Sequence, residues 1–588
     1  MAGNRSENEE FHGSFSTGTG KVMNHWESAN WNTLWSSLIA QALADHDIKT
    51  YFVSPGYRNA PLIAALRRRT DVDLFSCPDE RAAAYQALGF ARAAEKPAVL
   101  VSTSGTAGAN YLPAVIEAQK EQVPLLIITT DRPFELQFTA ANQTIQQQGL
   151  FQSFVKKALN FPEPGPAVKA QVVMDGVDLL CRSMATFPWG SCHINLPFRA
   201  PLEPVAVAES ERESLQTYLE AARQYQNRRH SQAYQRRALS EFAWSETQRE
   251  ALKNSQAPLL LFGRLHDEHD ITTFQELLPQ IQVPYYCDVT SSLKGVCIEK
   301  ELADPSVPAF RQWLKDYQPD LVLHFGNRLV TKYFDEYFAA HPPQDFWAFS
   351  YSEEWLDPAH IGAEHFQANP AQACKQALAL LSTLGGKQMK TWMNWDQALA
   401  TTESDETPLV SWSKIADGLV RSLQPEIPLV LGNSRAIRAF DSYHHQGFAR
   451  RRIYANRGAS GIEGLLATSI GLARGKDQPM CLVLGDISLI HDLNSLLALK
   501  DVEQSILVIV VNDGGGSIFR ALPIAKYPEI SDPLMTTPHH FHFSGIAEMA
   551  GLSYQKIRSC TDWQNFCHSL QAQFPQQSTL IEIDLTTP

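Results

Sequence analysis

The sequence lacks a CxxC pair, an apolar run of membrane-spanning length and an excess of positive charge. Its nine cysteines are scattered without metal-ligand spacing, which argues against a structural zinc site and favours a reducing compartment. No apolar run approaches the ~20 residues of a transmembrane helix. The net charge of −13 argues against a nucleic-acid partner. These absences predict a cytoplasmic protein that has no membrane span and binds no nucleic acid.

Two common catalytic motifs and a signal peptide are also missing. The sequence has neither the GxSxG elbow of many serine hydrolases nor the GxxxxGK(S/T) loop of P-loop enzymes. The start of the chain is polar and rich in Gly and Ser, without the apolar core of a signal peptide. We therefore predict a flexible tail over residues 1–26.

Short apolar runs that end in turn residues recur along the chain, with helical spacing between most of them. At 588 residues the chain is too long for one hydrophobic core. The alternation predicts three doubly wound α/β domains with parallel sheets. The predicted strands are Thr50–Val53, Ala98–Ser102, Leu125–Thr129, Pro258–Phe262, Leu321–Phe325, Pro428–Leu431, Cys481–Leu484, Ile506–Val511 and Leu580–Leu585.

Two polar, charged stretches predict the domain boundaries. Glu209–Gln248 is rich in Gln, Arg and Glu and predicts a surface helix and a linker, and Gly385–Thr407 has a similar composition. They divide the chain into a first domain at 27–208, a central domain at 209–390 and a third domain at 391–588, each of ordinary domain size.

Acidic residues follow two neighbouring predicted strands of the third domain. Asp486 comes after Cys481–Leu484, and Asn512-Asp513 with three glycines follows Ile506–Val511. The segment between these two strands, roughly residues 492–502, has helical spacing. The two strands and this segment together predict one βαβ unit. Oxygen ligands at strand ends beside a glycine-rich turn suit a divalent cation holding a diphosphate. The alternative is an ordinary strand end with an N-capping Asp.

A second cluster lies in the first domain. Ser54–Pro61 and Thr103–Asn110 each follow a predicted strand, and CPDER at 77–81 precedes an Ala-rich helix at 82–94. Asp79 is read as a helix N-cap. Glu80 is open to two interpretations: a first-turn partner of the helix dipole, or a buried carboxylate that contacts a cofactor ring.

Several segments resemble one enzyme family in the same order along the chain. The segments GDIS and NDGGG together resemble the metal–diphosphate motif of thiamine diphosphate enzymes. In this chain 25 residues separate Asp486 from Asn512. The chain is similar to the 2-succinyl-5-enolpyruvyl-6-hydroxy-3-cyclohexene-1-carboxylate (SEPHCHC) synthase family, called MenD, from about residue 27 to the C-terminus and least in the middle block. The segments are SPGYRNAPL, DERAAAYQALGFARA, TSGTAGANYLPAVIEA, TTDRP with ANQTI, HINLPF, GNSRAIR, NRGASGIEGLLAT and VVNDGGGSIF.

The resemblance implies a cofactor, a metal and an assembly. It implies pyrimidine-binding, central and diphosphate-binding domains, with thiamine diphosphate between the first domain of one subunit and the third domain of another. A homodimer or a dimer of dimers is therefore expected. Glu80 matches the catalytic glutamate that hydrogen-bonds the aminopyrimidine ring. Mg²⁺ or Mn²⁺ is expected on Asp486, Asp513 and the Gly515 carbonyl. The further cofactor-binding positions are Gln143, Ser434, Ile462, Gly485, Ile487 and Ser488.

The resemblance also implies a reaction in menaquinone biosynthesis. A transferase of this family decarboxylates 2-oxoglutarate and adds the succinyl-semialdehyde carbanion to isochorismate, giving SEPHCHC and carbon dioxide. Both substrates are dianions, so arginine forks suit their carboxylates. The expected substrate-binding residues are Arg58, Arg132, Asn142, Gln143, Lys332, Ser434, Arg438, Arg457, Ile518, Phe519 and Leu522.

Three positions depart from the family's pattern. Tyr57 replaces a serine, Tyr333 replaces a basic residue, and Asp513 replaces an asparagine. An aspartate still ligates magnesium, whereas the tyrosines change bulk and charge where substrate carboxylates are expected. The alternative is therefore another thiamine diphosphate-dependent carboligase or decarboxylase with a different acceptor. A non-enzymatic relative is disfavoured because Glu80 and Asp486 are both present.

Overall fold

A computed structural model of the chain describes residues 28–237, 239, 241–305, 307–381 and 410–586. These residues form three parallel β-sheets that are each flanked by helices. The predicted fold class is confirmed. The predicted tail at 1–26 and the predicted boundary at 390/391 lie outside the described residues. No helix in the described ranges is long and apolar enough to span a membrane.

The first sheet has six parallel strands in the order β2-β1-β3-β4-β6-β5. The strands are β1 Thr50–Val53, β2 Asp73–Ser76, β3 Ala98–Ser102, β4 Leu125–Asp131, β5 Lys157–Asn160 and β6 Cys192–Pro197. The α-helices around it are Trp31–Asp45, Ala60–Arg67, Glu80–Ala94, Thr106–Ala109, Leu112–Glu121 and Ala170–Ala185. Side chains alternate across the sheet: in β1, Tyr51 and Val53 join one buried cluster and Phe52 joins the other.

The second sheet has five strands in the order β11-β10-β9-β7-β8. They are β7 Pro258–Phe262, β8 Tyr285–Cys287, β9 Leu321–Phe325, β10 Asp345–Ser350 and β11 Glu364–Gln367. The helices around it are Glu246–Asn254, Glu268–Leu277, Pro308–Tyr317, Tyr333–Ala340 and Pro370–Leu381. Helix Glu209–Arg228 lies in the predicted boundary stretch, and it packs Leu215 and Ala222 into the core of the first sheet.

The third sheet has six strands in the order β13-β12-β14-β15-β17-β16. They are β12 Leu429–Leu431, β13 Ile453–Tyr454, β14 Met480–Gly485, β15 Ile506–Asn512, β16 Ser553–Ile557 and β17 Thr579–Asp584. The helices are Trp412–Ser422, Arg435–Ser442, Leu465–Lys476, Asp486–His491, Pro528–Ile530, Phe543–Met549 and Cys560–Ala572.

The helix predicted at about 492–502 lies at the expected position but differs in type, and a short helix that was not predicted precedes it. The crossover from β14 to β15 begins with a short α-helix, Asp486–His491, and continues as a 3₁₀ helix, Leu493–Asp501, where a single helix at about 492–502 was predicted. The break falls at Asp492, because its buried carboxylate accepts hydrogen bonds from Leu466 N–H and Ala467 N–H at 2.9 and 3.1 Å. Asp492 therefore caps a neighbouring helix.

The first and third domains of one chain meet through two helices. Helix Glu80–Ala94 crosses helix Leu465–Lys476 so closely that a Cβ at Gly89 would lie 2.1 Å from the Thr468 carbonyl oxygen. A Cβ at Gly471 would lie 1.9 Å from the Gln86 carbonyl oxygen. Glycine is required at both positions, and the contact fixes how the start of the Glu80 helix faces the third domain.

Candidate active site

A cavity of about 190 Å³ opens at the carboxyl ends of β14 and β15. Ligands of open α/β sheets bind at this edge because the strands present their last residues and the following loops there. All lining residues fall between Trp412 and Phe519. Ten predicted residues are among them: Ser434, Ile462, Gly485, Asp486, Ile487, Ser488, Asp513, Gly515, Ile518 and Phe519.

Asp486 is held by donors on both carboxylate oxygens. Its Oδ1 accepts from Ile487 N–H at 2.6 Å. Its Oδ2 accepts from Gly515 N–H at 2.9 Å and lies 3.0 Å from His539 Nε2. Burial raises the pKa of Asp486 above its ordinary value, and the backbone hydrogen bonds act in the opposite direction. The carboxylate is therefore fixed in orientation and buried.

Asp513 is the second carboxylate of the cavity. It accepts a hydrogen bond from the Ser517 hydroxyl, and Arg435 Nη1 lies 3.7 Å from its Oδ2. Burial raises the pKa of Asp513, and the charge of Asp486 adds to the rise. The preceding Asn512 is buried and donates from Nδ2 to Glu582 Oε1 at 2.8 Å. Only the second residue of the Asn-Asp pair thus lines the cavity.

The glycine turn after β15 has no room for a side chain at its middle residue, Gly515. Gly515 has φ of +139°, and a Cβ there would lie 2.4 Å from the Thr536 carbonyl oxygen. Gly516 N–H donates to the same oxygen at 2.6 Å. The turn is therefore pressed between the cavity and residues 536–539, and its backbone can approach a ligand closely.

The residues present suit a cation that shares its ligands with a phosphate group. In the ranges that the structure describes, no group of three or more His, Cys, Asp or Glu side chains could hold a metal ion. Asp486 and Asp513 supply two carboxylates and the glycine turn supplies backbone groups, which leaves coordination positions of a hard divalent cation for phosphate oxygens or water.

Asn433 joins two predicted segments beside this cavity. Its Nδ2 donates to the Asn456 and Gly461 carbonyl oxygens at 2.9 and 2.5 Å, and its Oδ1 accepts from Arg457 Nη1 at 2.9 Å. Arg457 lines a separate cavity of about 450 Å³. Burial lowers the pKa of Arg457, and the charge of Arg264 adds to this effect.

Ser434 immediately precedes the helix that follows Asn433, and Arg438 is the fourth residue of that helix. Ser434 has φ of +69° and precedes helix Arg435–Ser442. Arg438 Nη1 donates to the Ser434 carbonyl oxygen at 2.6 Å. A left-handed serine at a helix start is unfavourable in isolation, so the surrounding contacts hold this turn in shape.

Glu80 lies in the first domain, outside the cavity of its own chain. It is half-buried and begins helix Glu80–Ala94, and its Oε2 accepts from Asn110 Nδ2 at 3.4 Å. The neighbouring Asp79 caps the helix by accepting from Ala82 N–H at 2.9 Å. The structure therefore brings Glu80 next to the predicted TSGTAGAN turn and does not bring it together with Asp486 in one cavity.

Arg58 and Arg132 form a cationic pair near this turn. Arg58 Nη1 donates to the Phe198 carbonyl oxygen at 2.7 Å. Arg58 Nε and Arg132 Nη1 are buried and have no hydrogen-bond partner within the described ranges. Burial lowers the pKa of both groups, and the charge of Arg132 further lowers the pKa of Arg58. Such unpartnered donors suit an anionic ligand.

Two more predicted residues lie beside the same turn. A Cβ at Gly105 would lie 3.3 Å from the Gln143 carbonyl oxygen, and Asn142 and Gln143 are exposed. Lys332 and Leu522 are also exposed and line neither cavity. Within one chain, the side chains of Asn142, Gln143, Lys332 and Leu522 therefore line no common cavity.

The two tyrosines that depart from the family pattern, Tyr57 and Tyr333, have partners inside the chain. The Tyr57 hydroxyl donates to Glu203. The Tyr333 ring lies 6.2 Å from the Phe310 ring, and the Arg311 guanidinium lies 5.2 Å from the Tyr333 ring centre. Tyr333 thus packs in the central domain.

Several residues near the third-domain cavity were not predicted, among them Trp412, Asn433, Arg435, Ala436, Ser517 and His539. Asn433, Arg435, Ala436 and Ser517 lie inside the GNSRAIR and NDGGGSIF segments, so the motifs contained a signal for them. Trp412 and His539 are distant in sequence from every recognised segment, and only the fold brings them here.

The comparisons with known proteins agree over nearly the whole chain. Residues 35–153 match the family "Thiamine pyrophosphate enzyme, N-terminal TPP binding domain", and residues 210–416 match "Middle domain of thiamine pyrophosphate". SEPHCHC synthase of Chlorobium phaeovibrioides is 34% identical over 94% of this chain and 94% of its own. That of Syntrophus aciditrophicus is 36% identical over 95% and 96%. The crystal structure of benzoylformate decarboxylase from Polynucleobacter necessarius superposes with a TM-score of 0.65 at 13% identity, covering 94% and 98% of the two chains, and shows the same fold.

Proposed function

This chain belongs to the SEPHCHC synthase family, and from that premise we propose that it decarboxylates 2-oxoglutarate and joins the succinyl-semialdehyde unit to isochorismate in menaquinone biosynthesis. It is a thiamine diphosphate-dependent transferase. The observation that carries the proposal is the cavity at the ends of β14 and β15, where Asp486, Asp513 and the glycine turn meet. The scattered cysteines support a cytoplasmic location.

The third-domain cavity would hold the cofactor's diphosphate. Asp486, Asp513 and the Gly515 carbonyl would bind Mg²⁺ or Mn²⁺, and Gly485, Ile487 and Ser488 would contact the diphosphate. This is supported by the fixed orientation of the Asp486 carboxylate and by the side-chain-free turn. When bound, thiamine diphosphate supplies the electron sink into which a 2-oxo acid loses carbon dioxide.

The first domain would supply the proton-handling carboxylate and part of the anion-binding site. Glu80 would accept a hydrogen bond from the cofactor's aminopyrimidine ring, and Gln143 would lie beside it. Arg58 and Arg132 would bind substrate carboxylates through donors that are buried and unpartnered within the described ranges. The other substrate contacts proposed are Asn142, Lys332, Ser434, Arg438, Arg457, Ile518, Phe519 and Leu522.

We propose that each complete site forms between two subunits of a homodimer or a dimer of dimers. The cavity around Asp486 is lined by third-domain residues, whereas Glu80 lies in the first domain. Both domains also expose large apolar side chains: Phe134, Phe138 and Leu534 are 80%, 89% and 77% exposed. Such side chains are candidates for burial against another chain.

Turnover of the two substrates tests the proposed reaction. The purified protein is incubated with thiamine diphosphate, Mg²⁺ and 2-oxoglutarate, with and without isochorismate, while carbon dioxide and product mass are followed. We expect coupled carbon dioxide release and formation of SEPHCHC. No consumption of 2-oxoglutarate would exclude the proposed donor. Release of carbon dioxide with coupling to a different acceptor would support the alternative carboligase. Tyr57 and Tyr333 would then be the residues expected to alter the choice of acceptor.

Subunit complementation tests the shared site. Glu80→Gln and Asp486→Ala chains with different tags are co-expressed, and the mixed dimer is purified. Each single variant is expected to be inactive. In the mixed dimer one of two symmetric sites keeps both residues, so about half of the wild-type activity should return. An inactive mixed dimer would mean that Glu80 and Asp486 serve the same site from one chain.

A further inference from the structure

His539 reaches the Asp486 carboxylate from the outer side of the cavity. It lies in the segment between β15 and β16, and its side chain is 6% exposed. Its Nε2 lies 3.0 Å from Asp486 Oδ2. Its other ring nitrogen, Nδ1, accepts a hydrogen bond from Phe541 N–H at 3.3 Å. Because Nδ1 is an acceptor, the ring carries its proton on Nε2 and donates to Asp486.

The backbone around His539 braces the glycine turn at the same time. His539 N–H donates to the Gly514 carbonyl oxygen at 3.2 Å. Gly516 N–H donates to the Thr536 carbonyl oxygen at 2.6 Å. The imidazole ring packs 4.9 Å from the Phe541 ring. The segment is therefore attached to the turn on both sides of Gly515, and the ring has little freedom to move.

We propose that His539 is a positioning residue that fixes the metal-binding carboxylate of Asp486. This rests on the proposed function, in which Asp486 binds the cation. Oδ2 is occupied by the Gly515 N–H and the His539 ring, whereas Oδ1 has one donor, the adjacent Ile487 N–H. Oδ1 is thus the oxygen presented to the cation. Partners that orient ligating groups in this way typically strengthen metal binding.

Three variants separate positioning from packing. His539→Leu removes the donor and keeps an apolar side chain against Phe541. His539→Gln keeps an N–H donor at similar reach. His540→Leu changes the adjacent, exposed histidine and serves as the matched control. Each protein is titrated with MgCl₂ at saturating thiamine diphosphate, with tryptophan fluorescence as the readout, because Trp412 lines the cavity. Thermal midpoints without metal report on folding.

We expect the Mg²⁺ dissociation constant of His539→Leu to rise about 10- to 100-fold. His539→Gln should recover most of the affinity, and His540→Leu should match the wild type. A folded His539→Leu protein with wild-type Mg²⁺ affinity would overturn the proposal. So would equal losses of affinity in His539→Leu and His539→Gln, because the donor would then be irrelevant. A wild-type protein without saturable Mg²⁺ binding would instead overturn the proposed metal site itself.

Discussion

The buried carboxylate of Glu117, on a first-domain helix, accepts a hydrogen bond from Gly458 N–H of the third domain at 2.8 Å. Its other oxygen accepts from Ala459 N–H at 2.6 Å. These residues follow Arg457, a proposed substrate contact, and precede Ile462, a proposed cofactor contact. The Glu117 carboxylate thus holds the loop that carries Arg457 and Ile462. It also couples the first and third domains at the candidate site.

Glu117→Gln should displace this loop. The amide has one acceptor where the carboxylate has two, so one buried N–H loses its partner at a cost of about 1–3 kcal/mol. We expect a lower thermal midpoint and a fall of roughly 10- to 100-fold in kcat/KM for 2-oxoglutarate through misplacement of Arg457. Gln119→Ala, on the same helix, is the control. A fall in stability with unchanged kcat/KM would show that Glu117 serves only the domain contact.

Strand prediction from the sequence found nine of the seventeen strands in the described residues, and several of those it missed lie at sheet edges. All nine predicted runs are strands, with shifts of at most two residues at their ends. β2, β5, β11 and β16 were missed because they lie at sheet edges and have partly exposed side chains, so they contain no continuous apolar run. The short edge strands β8 and β13 and the interior strands β6 and β10 were missed as well.

The site was predictable only to the extent that it follows strand ends. Asp486 and Asp513 follow β14 and β15, neighbours in one parallel sheet, so their proximity follows from the strand pattern. His539 lies 53 residues from Asp486 in sequence and reaches it through an irregular segment. The separation of Glu80 from Asp486 within one chain depends on domain packing, for which local sequence patterns hold no signal.

Asp513→Asn and Asp513→Ala should differ in cofactor binding. Asparagine keeps an oxygen ligand at the same reach, whereas alanine removes it. We expect Asp513→Asn to retain Mg²⁺-dependent binding of thiamine diphosphate and Asp513→Ala to lose it, as measured by calorimetric titration with and without EDTA. Equal binding by both variants would exclude a side-chain ligand at this position.

Glu80→Gln should abolish turnover and leave the fold intact. The side chain is half-buried and its long hydrogen bond from Asn110 Nδ2 can be kept by the glutamine carbonyl. We expect kcat to fall on the order of 10²–10⁴-fold, with little change in the thermal midpoint. Asp79→Asn is the matched control, because asparagine also caps helices; its kcat should stay near that of the wild type. Equal losses in both variants would point to a damaged helix start.

Arg58→Lys should weaken substrate binding at constant charge. Lysine loses the planar fork that binds carboxylates through two parallel hydrogen bonds. We expect KM for at least one substrate to rise by roughly tenfold or more, since hydrogen bonds to charged groups contribute about 1.5–3 kcal/mol. Steady-state kinetics measures the effect, with the exposed Arg67→Lys as control. An unchanged KM for both substrates would remove Arg58 from the proposed anion site.

Asp492→Asn should change how stability depends on pH. Burial raises the pKa of Asp492 to about 6 in the folded protein, although hydrogen bonds from Ser495 and the Ala467 and Leu466 N–H groups oppose this. The unfolded value is about 3.9. The folded state therefore binds the proton more tightly, and the stabilising contribution is complete below about pH 4 and lost as pH rises to about 6.

Thermal midpoints of the wild type and Asp492→Asn between pH 4 and 7.5 measure this contribution, because titrations common to both proteins cancel in the difference. Asparagine keeps an oxygen for the Leu466 and Ala467 N–H groups but carries no titrating proton. The quantity of interest is the difference in thermal midpoint, wild type minus variant. We expect this difference to decrease from about pH 4 to about pH 6 and to stay constant at higher pH. A difference that does not vary with pH would mean that Asp492 remains ionised in the folded protein throughout this range.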